Sequence, residues 1–175
     1  EIKTLRATER IPVLRPGNCA YNGEFSIPTL AEIVALVRAS AARTGRPIGL
    51  YPETKHPTYF ATEGRRLTGE PIGIDLGLTL VRALQALDFT DPAHLFIQSF
   101  EPTYLQVLAT QRFPAAGYQV PLIQLIESQG APHDWAAAGD ARTYADLITP
   151  RGLAFTAGYA AGVGVPKELV ITPKG

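Results

Sequence analysis

The sequence has 175 residues and a formal net charge of zero, with 46% hydrophobic and 18% charged residues. This composition is typical of a globular protein that buries a core, and it argues against intrinsic disorder. Balanced charge argues against a nucleic-acid or anionic-membrane surface, because both favour a basic excess. No apolar run reaches the length of about 18 residues that a membrane span needs.

Residues 7–26 are predicted to be irregular, because prolines and glycines interrupt them. A helix then begins after Thr29, since Thr29 and Glu32 have the spacing of a capping box. Gly45 and Pro47 are expected to end this helix, as a glycine cap followed by proline usually does.

Beyond this helix, strands and helices alternate. Short apolar runs predict strands, and apolar residues at helical spacing predict helices between them. In chain order the predicted elements are a strand at 48–51, a helix marked from 74 to 87, a strand at 94–100, a helix from Pro102, a strand at 118–126, a helix at 143–160 that is broken near Pro150, and a short apolar run at 163–165.

The alternating order predicts an α/β fold with parallel strands and crossover helices. We expect a single domain over residues 1–175, with residues 7–26 as an irregular insertion. The glycine-rich motif of a dinucleotide-binding fold does not follow the first strand, and a P-loop is also absent from the sequence.

Polar residues fall near the carboxyl end of each predicted strand, where α/β proteins bind ligands. Alternation places Glu53 and Lys55 on one face of the first strand, and Gln98 and Phe100 on one face of the second. Gln124 takes the equivalent polar position on the third. The alternative is that Glu53 and Lys55 form only an ion pair, and that the glutamines only satisfy backbone groups.

The histidines and the cysteine give no further site. No spacing joins His56, His94 and His133 into a set of metal ligands, so each is predicted to be a surface residue. Cys19, the one cysteine, has no partner for an internal disulfide.

Four segments resemble the interior of the glycerophosphodiester phosphodiesterase family. They are "IPTLAEIVALV" at 27–37, "IGLYPETKHP" at 48–57, "LFIQSFEP" at 95–102 and "LIQLI" at 122–126. The resemblance implies three to four βα units from the centre of a (β/α)8 TIM barrel of the PLC-like phosphodiesterase type. It also implies a metal-dependent hydrolase of lipid and glycerol metabolism, which converts a small glycerophosphodiester into an alcohol and glycerol 3-phosphate.

The resemblance also implies residue roles. Glu53 falls on a metal-ligand carboxylate of the family, for Ca²⁺ or Mg²⁺, and Lys55 falls on a lysine that contacts substrate. Gln98 and Phe100 fall on the "QSF" motif, and Gln124 on a further substrate-binding position. The family's His-Arg-Gly, Glu-x-Asp and His-Asp motifs are absent from these 175 residues. The resemblance therefore implies that the general acid and base are not in this chain, and that the chain alone is inactive.

Two alternatives are also compatible with the sequence. One is a related barrel phosphodiesterase of the phospholipase D-like type, and the other is a non-catalytic binding or scaffold protein. Neither predicts nucleic acid as a partner. Family members with the same arrangement favour a periplasmic or extracellular location.

Overall fold

The computed structural model describes residues 2–171 and groups the chain into two compact units. One unit ends at Arg46 and the other begins at Pro47. The single domain over residues 1–175 stays a prediction. Within residues 2–171, no helix is both long and apolar enough to span a bilayer.

Helix α1, Leu30–Thr44, is the longest element of the first unit. Its predicted capping box is confirmed, because the Thr29 hydroxyl accepts from the Glu32 N–H while the Glu32 carboxylate accepts from the Thr29 N–H at 2.6 Å. Gly45 ends the helix with φ +66°, a conformation in which the missing β-carbon removes a clash. The segment before α1 contains the 3₁₀ turns Ile2–Thr4 and Pro16–Tyr21.

The second unit is built around a parallel sheet. Strands β1 (Ile97–Ser99), β2 (Leu122–Leu125) and β3 (Gly162–Gly164) lie side by side in that order, and both strand pairs are parallel. The predicted parallel α/β class is confirmed, while the barrel portion stays a prediction. The remaining elements are α2 (Leu76–Ala86), α3 (Pro102–Val107), α4 (Phe113–Ala116), α5 (His133–Ala137), α6 (Tyr144–Leu147), α7 (Pro150–Ala157), π-helical turns at Tyr59–Glu63 and Leu108–Arg112, and a 3₁₀ turn at Lys167–Leu169.

The predicted first strand, residues 48–51, is reduced to isolated bridges beside β1. Glu53 still pairs with Gln98 in parallel, and the Thr54 N–H donates to the Gln98 carbonyl at 3.0 Å. The interruption lies at Pro52, which has no N–H to donate to the ladder. The Pro52 carbonyl nevertheless accepts from the Gln98 N–H at 3.0 Å, so the segment keeps its place along β1.

Burial alternates along β1 and β2 and defines two faces of the sheet. The register pairs Ile97 with Leu122 and Ser99 with Gln124, and all four are buried. Helix α3 contacts both strands. The opposite face is only half-buried.

A second cluster of buried side chains lies beyond the carboxyl end of β2. It consists of Ile126, Trp135, Tyr144 and Leu147, with Phe100, Phe155 and Val165 packed against it. The predicted break near Pro150 is confirmed, because Thr149 caps α7 and Pro150 occupies its first turn.

The contact between α6 and α7 gives a test of packing. A β-carbon at Gly152 would overlap the carbonyl oxygen of Asp146 and would lie 2.6 Å from Cα of Leu147. These are backbone atoms that cannot rotate away, so Gly152→Ala is expected to lower the free energy of unfolding by about 2 kcal/mol or more. Urea denaturation measures the change. Gly158→Ala is the control, because a β-carbon there meets only the Phe155 oxygen at 3.2 Å. Equal stability of the two variants would contradict the packing.

Candidate functional site

A cavity of about 310 Å³ lies where the 50–54 segment, β1 and β2 reach their carboxyl ends. Parallel strands bring these ends to one side of a sheet, which is where α/β proteins place ligand sites. Glu53, Lys55 and Phe100, which the sequence analysis selected, all line the cavity, whereas Gln98 and Gln124 do not. The parallel register therefore brings three of the five predicted site residues together.

Glu53 and Lys55 form a loose ion pair at the mouth of this cavity. The Glu53 Oε1 lies 3.6 Å from the Lys55 Nζ, and the Glu53 side chain is 20% exposed whereas that of Lys55 is 73% exposed. An exposed pair at this distance contributes little to stability, on the order of 0–1 kcal/mol. The Lys55 ammonium is therefore open to a ligand, whereas the Glu53 carboxylate is only partly accessible.

Gln98 lies beside Glu53 on the same face of the sheet, as the Glu53–Gln98 bridge requires. Its side-chain Nε2 donates to the Tyr51 carbonyl at 3.0 Å. Phe100 follows two residues later on this face, and its ring contacts Tyr144 edge to face with centroids 6.1 Å apart. Phe100 thus forms an apolar wall between the cavity and the second cluster.

Gln124 does not occupy the position equivalent to Gln98. The register places Ile123 opposite Gln98 and Gln124 opposite Ser99, so Gln124 lies on the buried face and is fully buried. Its Nε2 donates to the Phe100 carbonyl at 3.1 Å and to the Leu125 carbonyl at 2.8 Å. Those contacts match the alternative that this glutamine satisfies backbone groups. The prediction of an equivalent position was wrong, because alternation within a strand leaves the register between strands undetermined.

Two histidines meet at the cavity although their spacing in the sequence gave no sign of it. His56 and His133 both line the cavity, and their ring centroids are 6.0 Å apart. The His133 Nε2 lies 3.1 Å from both carboxylate oxygens of Glu63. Seventy-seven positions separate the two histidines, so only the fold brings them together.

The described residues do not form a metal site on their own. Among residues 2–171, no group of three or more His, Cys, Asp and Glu side chains is arranged to hold a metal ion. Glu53 offers one oxygen ligand, whereas Ca²⁺ takes six to eight.

Glu101 is a buried carboxylate of the cavity that the sequence analysis did not select as a site residue. It is 2% exposed, and its Oε2 accepts from both the N–H and the hydroxyl of Thr58. Its Oε1 has no hydrogen-bond partner within the described chain. Burial raises the pKa of Glu101, and the negative charge of Asp134 adds to this effect. The carboxylate fastens the turn after His56 to the start of α3.

Asp134 makes comparable contacts with the first turn of α3. Its Oδ2 accepts from the Thr103 N–H at 2.7 Å and its Oδ1 from the Trp135 N–H at 3.0 Å. Burial raises the pKa of Asp134 as well. Two buried carboxylates therefore attach the segments that carry His56 and His133 to one helix start.

Comparisons with known proteins agree with the resemblance in the sequence. No family model matches the chain. A Haemophilus influenzae protein named glycerophosphodiester phosphodiesterase is 23% identical over 82% of this chain and 38% of its own length. The chain is a relative of the glycerophosphodiester phosphodiesterases. Glycerophosphodiester phosphodiesterase GDPD6 of Arabidopsis thaliana is 23% identical over 98% of this chain and 42% of its own length.

A third glycerophosphodiester phosphodiesterase, from Treponema pallidum, is 23% identical over 93% of this chain and 43% of its own length. The chain thus spans about two fifths of the length of the curated relatives it matches. These relatives bear out the predicted family, and an α/β fold of the TIM-barrel type is what they imply.

Glu101 gives a prediction about pH. A carboxyl group with a raised pKa in the folded state stabilises the fold when it is protonated, and that contribution is lost as pH rises through the raised pKa. The substitution Glu101→Gln removes this pH-dependent loss of stability, because the glutamine side chain does not ionise. Its amide oxygen can still accept hydrogen bonds from Thr58. The variant should therefore gain thermal stability relative to the parent as pH rises from about 4, the ordinary glutamate range, toward 7. Melting temperatures at several pH values measure the difference.

The control is Glu127→Gln, at an exposed carboxylate of the same cavity. Removing an exposed charge relieves no burial cost, so the melting temperature of Glu127→Gln should differ less from that of the parent than the melting temperature of Glu101→Gln does. If both variants differ from the parent equally at every pH, burial of the ionised Glu101 carboxylate does not destabilise the fold.

Proposed function

We propose that this chain forms part of the active site of a metal-dependent glycerophosphodiester phosphodiesterase. The observation that carries the proposal is the meeting of Glu53, Lys55 and Phe100 at one cavity, at the carboxyl ends of parallel strands. Similarity to three curated glycerophosphodiester phosphodiesterases supports the reaction class. In this proposal the parallel sheet is a portion of a (β/α)8 barrel, and the substrate is a small glycerophosphodiester.

Each side chain has a role that follows from its chemistry. The exposed Lys55 ammonium supplies a compact positive charge for the phosphate oxygens. Glu53 supplies a hard oxygen ligand of the kind that Ca²⁺ and Mg²⁺ prefer. A bound divalent cation would neutralise charge on the phosphate. Phe100 supplies an apolar wall of the cavity. Gln98 does not line the cavity; its amide donates to the Tyr51 carbonyl, and it would contact the substrate from beside Glu53 on the same face of the sheet.

The described residues supply too few ligands and no assigned general acid for the full reaction. A leaving alkoxide needs a proton from a positioned acid. We therefore propose that the remaining metal ligands and the acid and base lie outside these 175 residues. Gln124 would then support the site from the buried side, through the Phe100 carbonyl that it binds.

The isolated 175-residue chain is expected to show little or no turnover. The assay is hydrolysis of glycerophosphocholine with added Ca²⁺ or Mg²⁺, and the measured quantity is the glycerol 3-phosphate that is released. Glu53→Gln is the matched variant. Robust turnover by the unmodified chain that Glu53→Gln abolishes would refute the proposal that the chain holds only part of the site.

In a complete protein that contains this chain, Glu53→Gln is expected to lower kcat/KM by about a hundredfold or more, since the loss of a metal-site carboxylate or its support typically costs 10–100-fold or more. Lys55→Gln should act mainly through KM. The control is Glu70→Gln, at an exposed carboxylate outside the cavity, which should leave both constants nearly unchanged. Activity that is unaffected by Glu53→Gln would contradict its role. Cleavage of lysophosphatidylcholine but not of glycerophosphocholine would instead favour the phospholipase D-like reaction.

A further inference from the structure

Two neighbouring aliphatic side chains of the first unit are almost completely exposed. Val13 is 92% exposed and Leu14 is 76% exposed. They lie at the tip of a turn, Pro12–Leu14. Single exposed aliphatic residues are common on proteins, but two adjacent ones at a turn tip form a small apolar protrusion.

The turn that carries this pair is held by hydrogen bonds at its base. The Leu14 and Arg15 N–H groups donate to the Ile11 carbonyl at 3.0 and 3.1 Å. The Glu9 carboxylate accepts from the Ile11 N–H at 2.8 Å and from the Asn18 side chain at 2.7 Å. The apolar tip is therefore presented by an ordered turn, and its exposure does not result from an unstructured loop.

Positive charge flanks the tip on both sides. Arg10 and Arg15 are both exposed. Within residues 2–171 neither lies at ion-pair distance from a carboxylate, although the pKa of Glu9 at the base of the turn, which a backbone hydrogen bond lowers most, is lowered further by the charge of Arg15. Residues 2–26 contain four basic residues and two acidic ones, which leaves a net charge of +2. The chain as a whole is neutral, so this local excess is not visible in its total charge.

We propose that the turn Ile11–Arg15 docks on an anionic lipid surface, with Val13 and Leu14 inserted among the acyl chains and Arg10 and Arg15 at the headgroups. Aliphatic tips flanked by cations bind such interfaces through combined apolar burial and attraction to anionic lipid. Two side chains are too small for a stable protein interface, which buries about 800 Å² on each partner. The inference goes beyond the proposed function and holds whether or not the chain takes part in catalysis.

Two aromatic residues of the same segment agree with this assignment. Tyr21 is 59% exposed and Phe25 is 61% exposed, and their ring centroids are 6.0 Å apart. Aromatic side chains are favoured at the boundary between water and lipid.

Vesicle co-sedimentation of the 175-residue chain tests the proposal. Binding is expected to phosphatidylcholine vesicles that contain about 30% phosphatidylglycerol, to be weaker with pure phosphatidylcholine, and to fall at high salt because salt screens the attraction. The double variant Val13→Asp with Leu14→Asp should lower the partition coefficient by about tenfold or more, because it removes both apolar groups and adds negative charge. Arg10→Gln with Arg15→Gln should remove the preference for anionic vesicles.

The control is Leu36→Asp, which changes a 66% exposed leucine on α1 of the same unit and should leave binding nearly unchanged. Circular dichroism checks that each variant keeps its helix content. A second measurement uses Leu14→Trp, whose emission should shift to the blue with anionic vesicles, whereas that of Leu36→Trp should not.

Three outcomes would overturn the proposal. These are no binding to anionic vesicles, equal binding by the Val13/Leu14 double variant, and a parent chain that forms a dimer which this variant loses. The last result would assign the apolar tip to a second copy of the chain instead of a lipid surface.

Discussion

The parallel register between the 50–54 segment, β1 and β2 is the constraint on which the candidate site depends. It sets Glu53 beside Gln98 on one face and Gln124 beside Ser99 on the other. A shift of one residue would move every side chain of a strand to the opposite face. The half-buried face would then lose its carboxylate, and the buried face would receive an uncompensated charge, which is costly in a low-dielectric interior.

Hydrogen bonds from buried polar groups reinforce this register. The Ser99 hydroxyl donates to the Thr54 carbonyl at 3.0 Å, and the Gln124 amide donates to the Phe100 carbonyl just after β1. The Tyr159 hydroxyl in turn donates to the Gln124 Oε1 at 2.8 Å. Such a network compensates for the polar groups that it buries, and it joins the strand ends directly beneath the cavity.

The two buried carboxylates, Glu101 and Asp134, hold the loops near the carboxyl ends of the strands in a similar way, through buried hydrogen bonds. They bind N–H groups at the start of α3 and in the turn that contains Thr58, and so determine where the segments around His56 and His133 lie. Burial opposes their ionised forms, which is the energetic cost of assembling the cavity from distant segments. In the first unit, Glu9 holds a turn in a comparable way, but at the surface, where the turn presents apolar side chains to solvent.

Local sequence patterns specify most of the helices and the polar groups available at the strand ends. Spacing predicted the capping box at Thr29 and the helix break at Pro150, because both depend on residues within one turn of each other. Alternation placed Glu53 and Lys55 on one face, and motif similarity indicated the family. The reduction of the first strand to isolated bridges depends on tertiary structure. Pro52 has no N–H, and this interrupts pairing only where a neighbouring strand would accept a hydrogen bond at that position. Tertiary structure also decided the burial of Gln124, the partners of Glu101 and the meeting of His56 with His133. Those features depend on register and on contacts between residues far apart in the chain, and no local pattern specifies either.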